Sequence, residues 1–227
     1  VYGIDVTLPD MLYASILRPP YATFPHPQFT PDAGIRPLRV DDRAAREIEG
    51  VTHVISLNHG VAVIGTDYWS TVLGKRALEV EWEPGAALLD DPKRTGERRA
   101  FGDADAAFKG AARVMRAEFR SEHLYHAQME PFNATAWVRG DEVDLWSPTQ
   151  GQLWAREVAA KAAGTVETKV RVHTTFVGGG FGLRTEQLVN AQAVTLSKAT
   201  GKPVKVIWSR EDDLRNSAYR PAAAQRI

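Results

Sequence analysis

The run Gly178-Gly179-Gly180-Phe181-Gly182 constrains the fold of this chain more than any other feature of the sequence. Before it, residues 168–177 alternate apolar and polar side chains, with the period of two that is typical of a strand with one buried face. After it, residues 183–203 predict a helix that Gly201 ends and Pro203 stops from continuing. The glycines therefore connect a strand to a helix, where the backbone can approach a ligand and the helix N-terminus offers free N–H groups.

Other glycine-rich motifs fit this run poorly. A phosphate-binding P-loop continues with Gly-Lys-Ser/Thr, whereas Leu183 follows Gly182. A dinucleotide-binding fingerprint needs a third glycine, which neither register supplies. Taken alone, the run favours a tight strand-to-helix turn over a ligand site, because short glycine motifs produce many false positives.

The composition excludes several classes of protein. The formal net charge is +0, which gives no indication of a nucleic acid or an anionic membrane as partner. No apolar run is long enough to span a bilayer and no secretory h-region is present, so the location, periplasmic or cytoplasmic in a bacterium, stays open. Because it contains no cysteine, the chain forms no disulfide and cannot by itself ligate an iron–sulfur cluster.

Residues 1–84 predict a small α/β module. Strands are predicted for 11–18, 51–57, 61–65 and 79–82, and helices for 43–50 and 68–78, the second capped by Asp67. Residues 21–36 are rich in proline and predict a loop. Residues 85–105 mix both charges with glycine and lack an apolar period, so they are predicted to be a linker.

Residues 106–227 predict the beginning of a second, larger module, which makes the fold class α/β (α+β). Strands are predicted for 112–119, 133–138, 143–147, 168–177 and 203–208, and helices for 150–163 and for the stretch after the glycines. In the helix 150–163, Leu153, Val158 and Ala162 are predicted to face the core, and Gly164 ends the helix. Ser209 opens a capping box with Asp212.

His126 and Glu130 are predicted to lie on one strand and to face the same side, four residues apart. A metal or acid–base pair is conceivable there, but a structural histidine and a hydrogen-bonded carboxylate are favoured, because no third ligand is evident. No metal site is predicted. Trp137, Trp146 and Trp154 are interpreted as core aromatics.

These stretches together resemble the large, molybdenum-binding subunits of the xanthine dehydrogenase family of molybdenum hydroxylases. Residues 11–20 resemble the opening strand of the family, and 48–57, 61–65 and 77–84 its small hammerhead domain. Residues 123–138, 147–164, 177–184 and 201–213 resemble, in the same order, the first part of its molybdenum-cofactor-binding domain. Met129-Glu130-Pro131 and residues 181–184 are most similar to the isoquinoline 1-oxidoreductase and membrane-linked aldehyde dehydrogenase branch.

The resemblance implies oxidation of a small N-heterocycle or aldehyde, with water as the oxygen source. It implies molybdenum-molybdopterin, in the cytosine dinucleotide form, and a separate iron–sulfur subunit that accepts the electrons. Gly180, Phe181 and Gly182, with Gly179 beside them, match the loop whose backbone amides approach the molybdenum oxo ligand. The catalytic glutamate and most cofactor loops of the family lie beyond Ile227, so no catalytic residue is assigned, and the isolated chain is expected to be inactive without bound cofactor.

Several positions depart from the pattern of the family. Leu124 stands two residues before His126, where many members have a glutamine that contacts the oxo ligand. Thr185 replaces an acidic residue of the purine-oxidising enzymes, which argues against a purine substrate. Arg220 lies near a substrate-side arginine of those enzymes but is shifted by one. The candidate substrate-side residues are Leu124, His126, Arg184 and Arg220.

A second class of function stays open for this chain. Because the catalytic glutamate segment of the family lies outside it, the chain could be a non-catalytic binding or scaffold module. Such a module would contribute part of a cofactor pocket or a subunit interface. A nucleotide-binding oxidoreductase is disfavoured, because the fingerprint glycine is absent.

Overall fold

The computed structural model describes residues 1–20, 35–84 and 101–226, which form two compact units. The first unit comprises the described residues of 1–86 and residues 126–218, and the second comprises the described residues of 87–125 together with 219–226. Residues 21–34 of the predicted loop and residues 85–100 of the predicted linker lie outside the described residues.

The secondary structure alternates strands and helices along most of the chain. The strands are β1 (Leu12–Leu17), β2 (Pro37–Asp41), β3 (Val51–Leu57), β4 (Gly60–Gly65), β5 (Glu79–Trp82), β6 (Glu118–Ser121), β7 (Asn133–Arg139), β8 (Glu142–Ser147), β9 (Val170–Thr174), β10 (Val204–Ile207) and β11 (Ala223–Arg226). The α-helices are α1 (Arg43–Arg46), α2 (Tyr68–Ala77), α3 (Ala104–Gly110), α4 (Gln152–Ala163), α5 (Leu188–Thr200) and α6 (Arg210–Asn216). The predicted α/β class is confirmed by this mixed content.

A seven-stranded mixed sheet organises the first unit, in the order β3-β4-β1-β10-β7-β8-β9. β1 is antiparallel to β4 and parallel to β10, and β9 is parallel to β8. β2 and β5 form a separate antiparallel pair. Strands from both sides of the boundary predicted near residue 84 therefore share one sheet. The division into 1–84, 85–105 and 106–227 stays a prediction about domains.

The core of the first unit lies between this sheet and the helices α4 and α5. The strand residues that face these helices are fully buried, among them Ala14, Ala134 and Val206. On the opposite face, Ser15 Oγ lies 2.8 Å from Thr71 Oγ1 of α2. All six residues of β4 are buried, which agrees with the unbroken apolar run that predicted this strand.

The predicted ends of the helices are confirmed where the capping signal is local. The carboxylate of Asp67 accepts a hydrogen bond from the Ser70 N–H at 2.9 Å and caps α2. Ser209 and Asp212 form the predicted capping box at α6. Gly164 and Gly201 end α4 and α5 with φ of 71° and 68°, in the left-handed region that favours glycine.

The face of α4 differs from the prediction. Leu153 is 73% exposed, and Val158 and Ala162 are only partly buried, whereas Ala155 and Ala159 face the core with 0% exposure. The physical reason is space, because an alanine stripe lets α4 approach the sheet more closely than a leucine would. Trp154 is 56% exposed, so its interpretation as a core aromatic was wrong.

Trp137 and Trp146 are partly buried and lie on the sheet face away from α4 and α5. The Arg139 guanidinium lies 4.3 Å from the ring centroid of Trp137, and the His173 ring stacks on Trp146 at 4.6 Å. These tryptophans therefore contact charged and polar side chains, and not the main core.

Two strand predictions are corrected. The strand predicted at 112–119 is not formed as such, because β6 begins only at Glu118. A helix, α3, forms at Ala104–Gly110, across the end of the predicted linker. The strand predicted at 168–177 is shorter, since Glu167–Lys169 forms a 3₁₀ turn and β9 ends at Thr174.

The second unit is small and mostly exposed. β6 and β11 pair antiparallel, with Phe119 opposite Gln225. Leu124 and Arg220 exchange backbone hydrogen bonds of 3.2 and 2.9 Å, and the rings of Tyr125 and Tyr219 lie 5.9 Å apart. Across the described residues of both units, no helix has the length and apolar character needed to cross a membrane.

Candidate functional site

The glycine run has an unusual backbone. Gly179, Phe181 and Gly182 have φ of 91°, 53° and 99°, all in the region that L side chains rarely adopt. A 3₁₀ turn, Leu183–Thr185, follows before α5 begins at Leu188. The predicted order of strand, glycine run and helix is therefore correct, with this turn inserted. We call residues 178–182 the glycine loop.

A buried ion pair holds the glycine loop from behind. Arg184 is 2% exposed, and its Nη2 lies 3.1 Å from Glu130 Oε2 and donates to the Glu130 carbonyl at 2.6 Å. Its Nε donates to the Gly179 carbonyl at 2.7 Å. Burial lowers the pKa of the Arg184 guanidinium, and the Glu130 carboxylate opposes this shift. The guanidinium thus ties the segment around Glu130 to the loop through three hydrogen bonds.

The Glu130 carboxylate accepts four hydrogen bonds. Its Oε2 accepts from Gly178 N at 2.9 Å as well as from Arg184, and its Oε1 accepts from Ile4 N at 3.1 Å and Asn133 Nδ2 at 3.0 Å. With both oxygens doubly occupied, this carboxylate fixes position and is not arranged as an acid–base catalyst. The interpretation of Glu130 as a hydrogen-bonded carboxylate is therefore confirmed.

Gln150 supports the front of the loop, a role that no sequence pattern predicts. Its Oε1 accepts from Gly182 N at 3.1 Å and from Arg184 N at 3.3 Å. These two donors fix the amide group, so Nε2 is directed away from them. A Cβ at Gly180 would lie 2.5 Å from Gln150 Oε1, so this contact requires glycine at 180.

Two amides of the loop have no hydrogen-bond partner among the described residues. In the described part of the chain, the N–H groups of Gly179 and Gly180 donate to no protein group, although Gly180 is buried. The Gly182 amide is already bound to Gln150. A buried N–H without a partner is rare in proteins, and neighbouring donors in a left-handed turn suit an anion or an oxo group.

The candidate substrate-side residues do not converge. The Arg184 side chain points into the interior, to Glu130. Leu124 and Arg220 pair with each other in the second unit, whereas the glycine loop belongs to the first. His126 is partly buried and lies between β6 and β7, outside any strand, so the argument that it faces the same side as Glu130 does not hold. Among the described residues, no cluster of three or more His, Cys, Asp or Glu could hold a metal ion.

Comparison with known families gives a match that includes the glycine loop, Glu130, Gln150 and Arg184. Residues 89–227 match the family described as the molybdopterin cofactor-binding domain. The isoquinoline 1-oxidoreductase subunit beta of Brevundimonas diminuta is 37% identical over 248 residues, covering 100% of this chain and 30% of that protein. The membrane-bound aldehyde dehydrogenase [pyrroloquinoline-quinone] of Gluconacetobacter polyoxogenes is 29% identical and is covered to 31%. The chain thus spans about a third of the length of these relatives.

Solved structures share the fold at low sequence identity. Quinoline 2-oxidoreductase from Pseudomonas putida 86 superposes with a TM-score of 0.68 at 20% identity, over 93% of this chain and 33% of that one. The Cu,Mo-CO dehydrogenase superposes with a TM-score of 0.70 at 22% identity, over 97% of this chain and 34% of that one.

Proposed function

Because the chain belongs to the family of molybdopterin cofactor-binding domains, we propose that in the full-length protein its glycine loop forms one wall of the cofactor site of a molybdenum hydroxylase. The observation that carries this proposal is the buried Gly180 amide, which has no partner in the described part of the chain. An oxo or other anionic group of the cofactor would satisfy it.

The residues present fit such a group. Nothing in the described structure lies within 4 Å of the position where a Cβ of Gly182 would stand, so the loop faces open space there. Gly179 and Gly180 supply two free amides, and the Nε2 group of Gln150 supplies a third donor. This third donor can take the role that the family resemblance assigns to a glutamine where this chain has Leu124.

The roles of the residues of this chain are binding and orientation. When bound, the molybdenum centre supplies the oxidation of the substrate carbon, with water as the source of the oxygen. Glu130 and Arg184 hold the loop backbone in the conformation that aims its amides outward, which is preorganised electrostatic stabilisation. Phe181, with 61% exposure, adds an apolar ring at the loop. The acid–base residue would come from another part of the subunit, since Glu130 is saturated with donors.

The substrate class follows from the relatives alone. One relative is named for isoquinoline and another for aldehydes. We propose an N-heterocycle or an aldehyde as the substrate, and Thr185 argues against a purine.

We further propose the cytosine dinucleotide form of the cofactor, on the resemblance to the same branch. We also propose a separate iron–sulfur subunit as the electron acceptor. Residues 1–227 themselves contain no cysteine and cannot bind a cluster through thiolates.

A second candidate function rests on one observation, namely that Glu130, the carboxylate that contacts the loop, already accepts four hydrogen bonds. The chain would then be a scaffold module that shapes a pocket without chemistry. If such a module contributes only a subunit interface, the full-length protein should contain no molybdenum.

The test is metal and cofactor analysis of the purified full-length protein. We expect about one molybdenum per subunit, a pterin dinucleotide by mass spectrometry, and oxidation of isoquinoline or an aromatic aldehyde with an artificial electron acceptor. Residues 1–227 alone are expected to hold no molybdenum, because they carry only part of the contacts. A full-length protein that folds but contains no molybdenum would favour the scaffold function.

A further inference from the structure

Lys205 is a buried lysine in the middle of the sheet. It lies on β10 between β1 and β7, is 2% exposed, and faces away from α4 and α5. Lysine is almost never buried without a partner, because desolvating an ammonium group is costly. No carboxylate in the described residues lies within ion-pair distance of its Nζ. Burial lowers the pKa of Lys205 to about 8, and the nearby Asp5 opposes this shift.

The partner of Lys205 is a backbone carbonyl near the start of the chain. Its Nζ donates to the Ile4 carbonyl at 2.7 Å, and lies 5.8 Å from the ring centroid of Tyr13. Ile4 belongs to the 3₁₀ turn Gly3–Asp5, which we call the N-terminal turn. A Cβ at Gly3 would lie 2.4 Å from Asn133 Oδ1 and 2.7 Å from Pro148 Cδ, so this turn is packed directly against the sheet.

The N-terminal turn contacts the carboxylate behind the glycine loop, and the two residues before the turn contact the chain ahead of the loop. The Ile4 N–H donates to Glu130 Oε1 at 3.1 Å, while Glu130 Oε2 accepts from Gly178 and Arg184. Just before the turn, the Val1 carbonyl accepts from Phe176 N at 3.1 Å, and the rings of Tyr2 and Phe176 lie 5.8 Å apart. The turn is therefore bound to the chain ahead of the loop and to the carboxylate behind it.

We propose that Lys205 is a positioning residue for the glycine loop, acting through the N-terminal turn and Glu130. Lys205 holds the Ile4 carbonyl and so fixes the N-terminal turn, whose preceding peptide unit carries the Ile4 N–H. That N–H donates to Glu130 Oε1, which leaves Oε2 to accept from Gly178 and Arg184. The contacts themselves follow from the geometry. Only their importance for cofactor binding rests on the proposed function.

The experiment compares two lysines that make the same kind of bond. Lys205→Met removes the donor to Ile4, and Lys198→Met removes the Nζ donor to the Ala163 carbonyl, a bond of 2.6 Å at the end of α4. Amide hydrogen exchange is measured in residues 1–227. In Lys205→Met we expect the Ile4 and Gly178 amides to exchange at least about fivefold faster, as for the loss of one net hydrogen bond. The amide of Val206 should be unchanged, and Lys198→Met should leave both sites at the wild-type rate.

Ile4→Pro is the second variant, because it removes the N–H that Glu130 accepts without altering the sheet. It should accelerate hydrogen exchange of the Gly178 amide to a similar extent. Combined with Lys205→Met it should add little, since both changes break one chain of contacts. This variant keeps the proposal testable if Lys205→Met fails to fold.

The outcomes separate the two proposals. Wild-type exchange at Gly178 in Lys205→Met, or uniform acceleration that includes Val206, overturns the positioning role. Selective acceleration at Ile4 and Gly178 supports it. In the full-length protein, Lys205→Met should then bind less molybdenum than Lys198→Met. Selective acceleration with unchanged molybdenum content would leave the positioning role standing and count against the loop as part of the cofactor site.

Discussion

Glycine is required for two different reasons within the same loop. A Cβ at Gly178 would lie 2.4 Å from Glu130 Cβ, so packing excludes a side chain there, whereas one at Gly180 would lie 2.5 Å from Gln150 Oε1 and would displace that amide from the loop. At Gly182 nothing lies within 4 Å, and only the φ of 99° favours glycine. Position 182 is therefore the best place to test ligand binding by substitution, because a small side chain there disturbs the packing least.

Gly182→Ala should separate ligand binding from stability. Gly140 is the matched control, because it also has positive φ, 63°, and nothing within 4 Å. Both substitutions should lower the free energy of unfolding by about 1 kcal/mol, through backbone strain. In the full-length enzyme only Gly182→Ala should reduce kcat or molybdenum content, with a loss of up to roughly a hundredfold in rate if loop donors are displaced.

Chemical denaturation, molybdenum analysis and steady-state kinetics check this prediction. Normal turnover and metal content in a folded Gly182→Ala enzyme would show that the loop is only a turn.

Glu186 makes stability depend on pH. Burial raises the pKa of this carboxyl to about 7 from its ordinary value of 4.5, although the Ala218 amide and Arg18 favour the charged form. Between these values the folded state binds the proton more tightly than the unfolded state, so stability falls as pH rises from about 5 to 7. The contribution is at most roughly 3 kcal/mol.

Glu186→Gln should remove this pH dependence, because the glutamine side chain carries no charge. Its amide oxygen can still accept from Ala218 N, which lies 3.2 Å from Glu186 Oε1 in the wild-type protein. Urea unfolding at pH 5, 6, 7 and 8 measures the difference between the two proteins. Parallel stability curves for wild type and variant would contradict the assignment.

At the scale of elements, the sequence predicts what local signals control. The caps at Asp67, Gly164, Gly201 and Ser209 are correct because each depends on one side chain or one backbone angle. The prediction of which face of α4 packs on the core is wrong, because periodicity does not indicate that a close approach to the sheet requires alanines. The Glu130–Arg184 pair was not predicted either, since its partners are distant in sequence and meet only in the fold.

The face of α4 can be tested by opposite substitutions. Leu153→Gln should change the free energy of unfolding by no more than about 0.5 kcal/mol, because Leu153 is 73% exposed. Ala159→Leu should cost about 1 to 3 kcal/mol, because Ala159 has 0% exposure and the larger side chain would overpack the contact with the sheet. Denaturant titrations of residues 1–227 would measure both. A larger loss of stability in Leu153→Gln than in Ala159→Leu would support the face predicted from the sequence.

At the scale of the whole molecule, one sheet crosses the boundary predicted near residue 84. β1 pairs along its length with β4 on one side and, at Leu12, Tyr13 and Ala14, with β10 on the other. Removing β10 would expose the apolar face of β1 and one of its edges. Sequence patterns indicate strands but not their order, which explains why this continuity was not predicted.

Residues 1–84 produced alone should therefore not fold cooperatively. The physical reason is that Ala14, Ile16 and Ile64 would lose their buried neighbours Val204, Val206 and Leu196. Circular dichroism, urea unfolding and the dispersion of amide signals in NMR spectra would measure this. A sigmoidal transition with dispersed signals would support the predicted domain boundary, and we expect neither.

The parallel pairing of β1 with β10 also has a consequence for biosynthesis. Leu12 reaches its partner Val204 only after almost all of the intervening chain has left the ribosome, so this contact is highly non-local. Until then β1 has an open edge and an incomplete apolar face, the condition in which nascent chains recruit chaperones or aggregate. Lys205 reaches the N-terminal turn in the same step. The supports of the glycine loop are thus completed only after residues 1–205 have emerged, and cofactor insertion is expected to follow synthesis of this segment.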